Sequence, residues 1–95
     1  MRKLPVASGE QLLKVLRRLG YEIIRQRGSH IRLGKQTEAG EHKITVPLHD
    51  ELAKGTLNDI LVDVSIWNGI SKDAIFEMLE NQISKDAIFE MLENL

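Results

Sequence analysis

The side chains with chemistry to offer are three histidines and a set of cations. His30 stands in RQRGSHIRL, Arg25 to Leu33, directly after Gly28-Ser29 and among Arg25, Arg27 and Arg32. An imidazole with its ordinary pKa near 6.5 both accepts and donates protons at neutral pH. Cleavage of RNA by its own 2′-hydroxyl needs a base for that hydroxyl, an acid for the leaving 5′-oxygen, and cations for the charge building on phosphorus. His30 with Arg25, Arg27, Arg32 and Lys43 has the residue types for this, and acid–base help of this kind is worth roughly 10²–10⁴ in rate. His42 and His49 are rivals for the proton-transfer role. His49, in VPLHDEL, suits a plain hydrogen bond in a connector.

Other chemistries find less support. There is no cysteine, so thiolate nucleophiles, disulfides and thiolate metal sites are excluded. Histidines at 30, 42 and 49 have no i, i+4 pairing and no H-E-x-x-H, so neither metal nor cofactor is expected. No G-x-S-x-G and no glycine-rich phosphate loop occurs.

Charge narrows the partner. Residues 1–47 carry ten Lys/Arg against four acids, whereas residues 48–95 carry three against ten, so +6 and −7 compose the net −1. A basic working half faces an acidic remainder, which points to a polyanion such as RNA. DNA fits less well, since the helix expected at TLNDILVDVS is acidic rather than basic. No apolar run approaches the ~20 residues of a membrane span, and MRKLPVASGE lacks the apolar stretch of a secretory signal. A cytoplasmic location is the expectation.

The elements that must position these residues are short. SGEQLLKVLRRLG reads as a helix, with Ser8 as N-cap, Gln11 completing a capping box, and Gly20 as the closing residue. Leu12, Val15, Leu16 and Leu19 form its apolar stripe. YEIIRQR, HIRL and HKITVP read as strands, with Gly28-Ser29 as a tight turn and GKQTEAGE as a polar loop. Alternation puts Ile31 and Leu33 on one face with Ile44 and Val46 on the other strand. His30 and Arg32 take the opposite, open face, and Lys43 and Thr45 lie opposite Ile44 and Val46 on their own strand. LHDELAKG connects to the helix TLNDILVDVS, whose stripe is Leu57, Ile60, Leu61 and Val64 and whose stop is Asn68-Gly69. The expected fold class is α+β: α-β-β-β-α, a three-stranded antiparallel sheet with helices on one face.

The tail repeats. ISKDAIFEMLEN occurs at Ile70–Asn81 and again at Ile83–Asn94, separated by Gln82. Identity at all twelve positions marks a recent or deliberate duplication, and no solenoid has so short a unit. Each copy has a Ser cap (Ser71, Ser84) and an apolar cluster (Ile75, Phe76, Leu79; Ile88, Phe89, Leu92). If the copies fuse into one helix, the 13-residue offset turns the second stripe about 220° from the first. The second stripe then lies exposed, pairs with another chain as a homo-oligomer, or forces a break near Asn81. Residues 1–81 form the expected domain and 82–95 the second copy.

In this order, Gly-Tyr, GSH, KITVPLH, KGTLNDIL and GIS-x-x-x-F, over about Leu4 to Leu79, the chain resembles the HicA-type toxins. The resemblance implies a double-stranded-RNA-binding-domain-like fold, metal-independent endoribonuclease action on mRNA, and neutralisation by a HicB-type antitoxin. It also implies that His30, after Gly28 and Ser29, is the catalytic histidine. From the turn and the charges around it, Arg25, Arg27, Gly28, Ser29, Arg32 and Lys43 are the expected RNA contacts. Two alternatives remain: a non-catalytic RNA-binding module of this fold, and a toxin scaffold whose helix was duplicated to study folding or oligomerisation.

Overall fold

The computed structural model describes residues 3–95. Helix α1 (Gly9–Arg18) begins where both bonds of the capping box form: the Ser8 hydroxyl accepts from Gln11 N–H at 3.1 Å, and Gln11 Oε1 accepts from Ser8 N–H at 2.9 Å. Strands β1 (Glu22–Arg27), β2 (His30–Thr37) and β3 (Gly40–Pro47) make one antiparallel sheet in the order β1-β2-β3. Helix α2 (Lys54–Asn68) closes on Gly69, which takes the left-handed conformation (φ 62°). Helix α3 (Lys72–Glu93) follows.

This α+β arrangement is the double-stranded-RNA-binding-domain-like fold. Leu12, Val15 and Leu16 of α1, Leu57, Leu61 and Val64 of α2, and Ile31, Leu33 and Val46 of the sheet share one core. The helices lie on one side of the sheet, and the other side faces solvent. Beneath α1 the backbones come very close: a Cβ on Gly9 would stand 2.0 Å from the Pro47 carbonyl oxygen, so only glycine fits.

The chain departs from the sequence reading in four places, the first being α2, which takes in Lys54-Gly55 of the expected connector and runs on past Ser65 to Asn68. GKQTEAGE is not a loop; β2 and β3 run on to a tight turn at Glu38-Ala39, with Thr37 paired to Gly40. Its polar residues fit a strand because this end of the ladder has one face in solvent. The strand expected from Tyr21 starts at Glu22, and Tyr21 itself is buried in the core. Ser84 caps nothing, because α3 runs unbroken through both tail copies; only Ser71 accepts from Ala74 N–H, at 3.1 Å.

Helix α3 docks by its first copy. Ile75, Phe76 and Leu79 are buried against the core, whereas Ile88, Phe89 and Leu92 are exposed. The 220° turn between the stripes explains the difference: a straight helix presents one stripe at a time.

Candidate functional site

The position of His30 follows from the hairpin. Gly28 adopts φ 58° and no non-glycine residue among the described residues, Ser29 included, has positive φ, so Gly28-Ser29 has glycine first, the pattern of a type II′ turn suited to strand twist. The turn is pinned from the other side. Pro47, opposite His30, has no N–H, but Leu48 N–H donates to the Ser29 carbonyl at 2.6 Å. The connector is also tied to α1, since Gly9 N–H donates to the His49 carbonyl at 2.9 Å and Leu52 N–H to the Ala7 carbonyl at 2.8 Å. His30 therefore sits on a braced corner of the sheet, exposed to solvent.

Register assembles the rest of the open face. Arg27 faces His30 and Arg25 faces Arg32 across β1–β2, while Thr45 faces Arg32 and Lys43 faces Gly34 across β2–β3. Opposed residues of an antiparallel pair point to the same side. Arg25, Arg27, His30, Arg32 and Lys43 thus share the solvent face, with successive rows about 7 Å apart along the strand. Gly28 and Ser29 supply the turn at its corner.

A floor lies among these cations. The β1–β2 register shifts by one residue between Ile23 and Arg25, a bulge that inserts Ile24. Ile24 packs over Gly34, where a Cβ would come within 2.7 Å of Ile24 Cδ1. Ile24, Arg25, Arg32 and Lys43 line a shallow depression of 250 Å³. The sequence reading missed Ile24 and Gly34; a glycine in mid-strand, read as the start of a loop, was the available signal.

Two directly opposed arginines repel, and like charges so placed destabilise a sheet. Lys43 is balanced by Glu41 at 3.2 Å, and Arg32 donates from Nη1 to Thr45 Oγ1 at 2.9 Å. Among the described residues no carboxylate forms an ion pair with Arg25, Arg27 or Arg32. An anion laid on this face would find unpaired cations.

The other histidines lie elsewhere. His49 is exposed on the connector. His42 is buried on the core face, stacked on Trp67 with centroids 4.9 Å apart and planes within 10°. Its Nδ1 lies 2.6 Å from Tyr21 Oη and its Nε2 2.9 Å from Asp63 Oδ2. Asn68 Nδ2 donates to Tyr21 Oη at 2.9 Å, so the phenol O–H is left to donate to Nδ1 and the imidazole N–H sits on Nε2, donating to Asp63. Burial pushes the Tyr21 pKa above its usual value; the Asn68 bond opposes this and the Asp63 charge adds to it. This network joins the far end of the sheet to α2 and is directed into the core. Among the described residues no three His, Asp or Glu side chains gather as a metal site would require.

Comparison with known families bears on this geometry. A family model for the HicA toxin of bacterial toxin–antitoxin pairs matches residues 9–66. The chain belongs to the HicA toxin family. The match runs from the first residue of α1 almost to the end of α2, and so contains the whole sheet and its open face. The duplicated helix α3 lies beyond it. No curated protein and no solved structure matches the chain. As a member of this family the chain is the toxin of a toxin–antitoxin pair, and no helix among its described residues is long and apolar enough to cross a membrane.

Proposed function

We propose that this toxin is a metal-independent endoribonuclease that cleaves mRNA at His30. The observation that carries the reading is the placement of one exposed imidazole at the braced corner of an open sheet face holding Arg25, Arg27, Arg32 and Lys43. In the step, His30 takes the proton of a ribose 2′-hydroxyl and the 2′-oxygen attacks the adjacent phosphorus. The P–O5′ bond breaks, and the leaving 5′-oxygen takes a proton from the imidazolium just formed. A 2′,3′-cyclic phosphate and a 5′-hydroxyl result. Charge on the phosphorane is met by the arginines, whose forked N–H groups suit phosphate oxygens.

Gly28 and Ser29 contribute backbone and a hydroxyl at the same corner. Family membership supports RNA as the substrate and a HicB-type antitoxin as the neutralising partner. The cytoplasm, where mRNA is present, is the proposed place of action.

The test incubates the purified chain with a long single-stranded RNA in EDTA, beside the His30→Ala variant. Cleavage by the parent alone, ending in cyclic phosphate, is expected, with the two chains equal in circular dichroism and RNA retention. Equal cleavage by both would remove His30 from the mechanism. Salt-dependent retention without products from a folded parent would leave an RNA-binding module.

A further inference from the structure

The repeat gives every residue of the docked copy an identical counterpart thirteen positions later, from Ile70 and Ile83 to Asn81 and Asn94. The correspondence ends at one difference: Gln82 follows the first copy and Leu95 the second. Gln82 is 4% exposed, and its Oε1 has no hydrogen-bond partner among the described residues. Leu95 is 99% exposed. Each residue occupies the environment that suits the other, because a buried unpaired amide oxygen costs free energy and an exposed leucine gains none from burial.

The socket around the first copy recognises features that the second copy repeats. Ser65 Oγ donates to the Ile70 carbonyl at 2.6 Å, Ile70 N–H donates to the Ser65 carbonyl at 3.3 Å, and Lys72 donates to Asn58 Oδ1. Ile83, Ser84 and Lys85 can make the same bonds. Ile88, Phe89 and Leu92 can fill the places of Ile75, Phe76 and Leu79.

We propose that the core has one socket for two interchangeable segments, and that Ile83–Leu95 docks there in place of Ile70–Gln82 of the same chain. Leu95 then occupies the position of Gln82, and residues 70–82 leave as a loop between Gly69 and Ile83. Against the exchange stand the continuity of α3, the Lys14–Asp86 pair at 3.4 Å and the Gln82–Asp86 bond at 3.0 Å. For it stand the burial of Leu95 and the release of the Gln82 amide. Closing residues 70–82 into a loop also stands against the exchange, and it is what favours the first copy; that cost is bounded, because closure entropy grows only with the logarithm of loop length. Docking within the chain outcompetes docking between chains at micromolar concentration, since a short tether gives a local concentration of millimolar order.

The experiment disables the docked copy in the full chain with Ile75→Asp and Leu79→Asp. If the segments exchange, this variant unfolds cooperatively, as a monomer, within about 15 °C of the parent midpoint, a shift that corresponds to a few kcal/mol in a chain of this size. Adding Leu92→Asp, a change at a residue 60% exposed in the structure, then abolishes the cooperative transition. Leu92→Asp alone leaves the parent midpoint within about 3 °C, as expected of an exposed site. A double variant with no cooperative transition overturns the proposal, as does a triple variant as stable as the double. Rescue that appears only with doubled mass and disappears on dilution overturns docking within one chain.

Discussion

Replacing His42 with alanine tests whether the buried network holds α2 to the sheet. The substitution removes the acceptor for the Tyr21 hydroxyl, the donor to Asp63 and the ring stacked on Trp67. A buried hydroxyl left without its acceptor costs about 1–3 kcal/mol. Loss of the stacked ring adds about 0.5–1.5 kcal/mol. The bond to Asp63 contributes little to the difference, because that side chain is 48% exposed and water replaces the imidazole. The sum is about 1.5–4.5 kcal/mol, which lowers the thermal midpoint by about 6–36 °C. Urea unfolding followed by Trp67 fluorescence, with circular dichroism as a second probe, measures the loss; Trp67 is the only tryptophan. Tyr21→Phe completes a double-mutant cycle, and residues in one network couple by roughly 0.5–3 kcal/mol. A loss below about 1 kcal/mol, or strict additivity with Tyr21→Phe, would refute the tautomer and bonding scheme. RNA cleavage by the folded fraction should change little, since His42 faces the core and His30 the solvent.

Three further outcomes follow from the same geometry. Arg25→Gln with Arg32→Gln should weaken RNA retention and flatten its dependence on log salt by about two phosphate contacts, read by filter binding at several salt concentrations; an unchanged slope would remove the open face as the RNA surface. Tyr21 is the only tyrosine, so phenolate absorbance follows it alone. Its raised folded-state pKa means the unfolded chain loses the proton first, so stability is intact below pH 10.0 and falls as pH rises toward the folded-state value. Absorbance titrating at the same pH in the folded chain and in urea would contradict the burial. Gly9→Ala should cost more than about 2 kcal/mol in urea unfolding, because its Cβ would collide with the Pro47 carbonyl. A change of a few tenths would show that α1 can shift freely away from β3.

Much of the site was legible because it is local. A capping box, a Gly-Ser turn and a period-2 alternation involve residues close in sequence, and they place His30 and Arg32 on one face and Ile31 and Leu33 on the other. Alternation likewise separates Lys43 and Thr45 from Ile44 and Val46, and the pairing of β2 with β3 then sets them on the face of Arg32. Arg25 and Arg27 were marked by charge, but their facing of Arg32 and His30 depends on the bulge at Ile24. That bulge has no signature in EIIRQR; it exists because Ile24 finds room over Gly34 on another strand. His42 shows a similar limit. Its type suggested proton transfer, and only packing against Trp67, Tyr21 and Asp63 assigns it to the core.

The tail draws the boundary most sharply. Sequence alone determined that two equal segments compete and that one straight helix cannot bury both stripes. It could not rank them, because their residues are the same. Tertiary structure places Leu79 at 0% exposure and Leu92 at 60%. The physical reason is connection: Gly69 turns the chain out of α2 so that Ile70 meets Ser65 at once, and the segment nearest that turn reaches the socket without a loop.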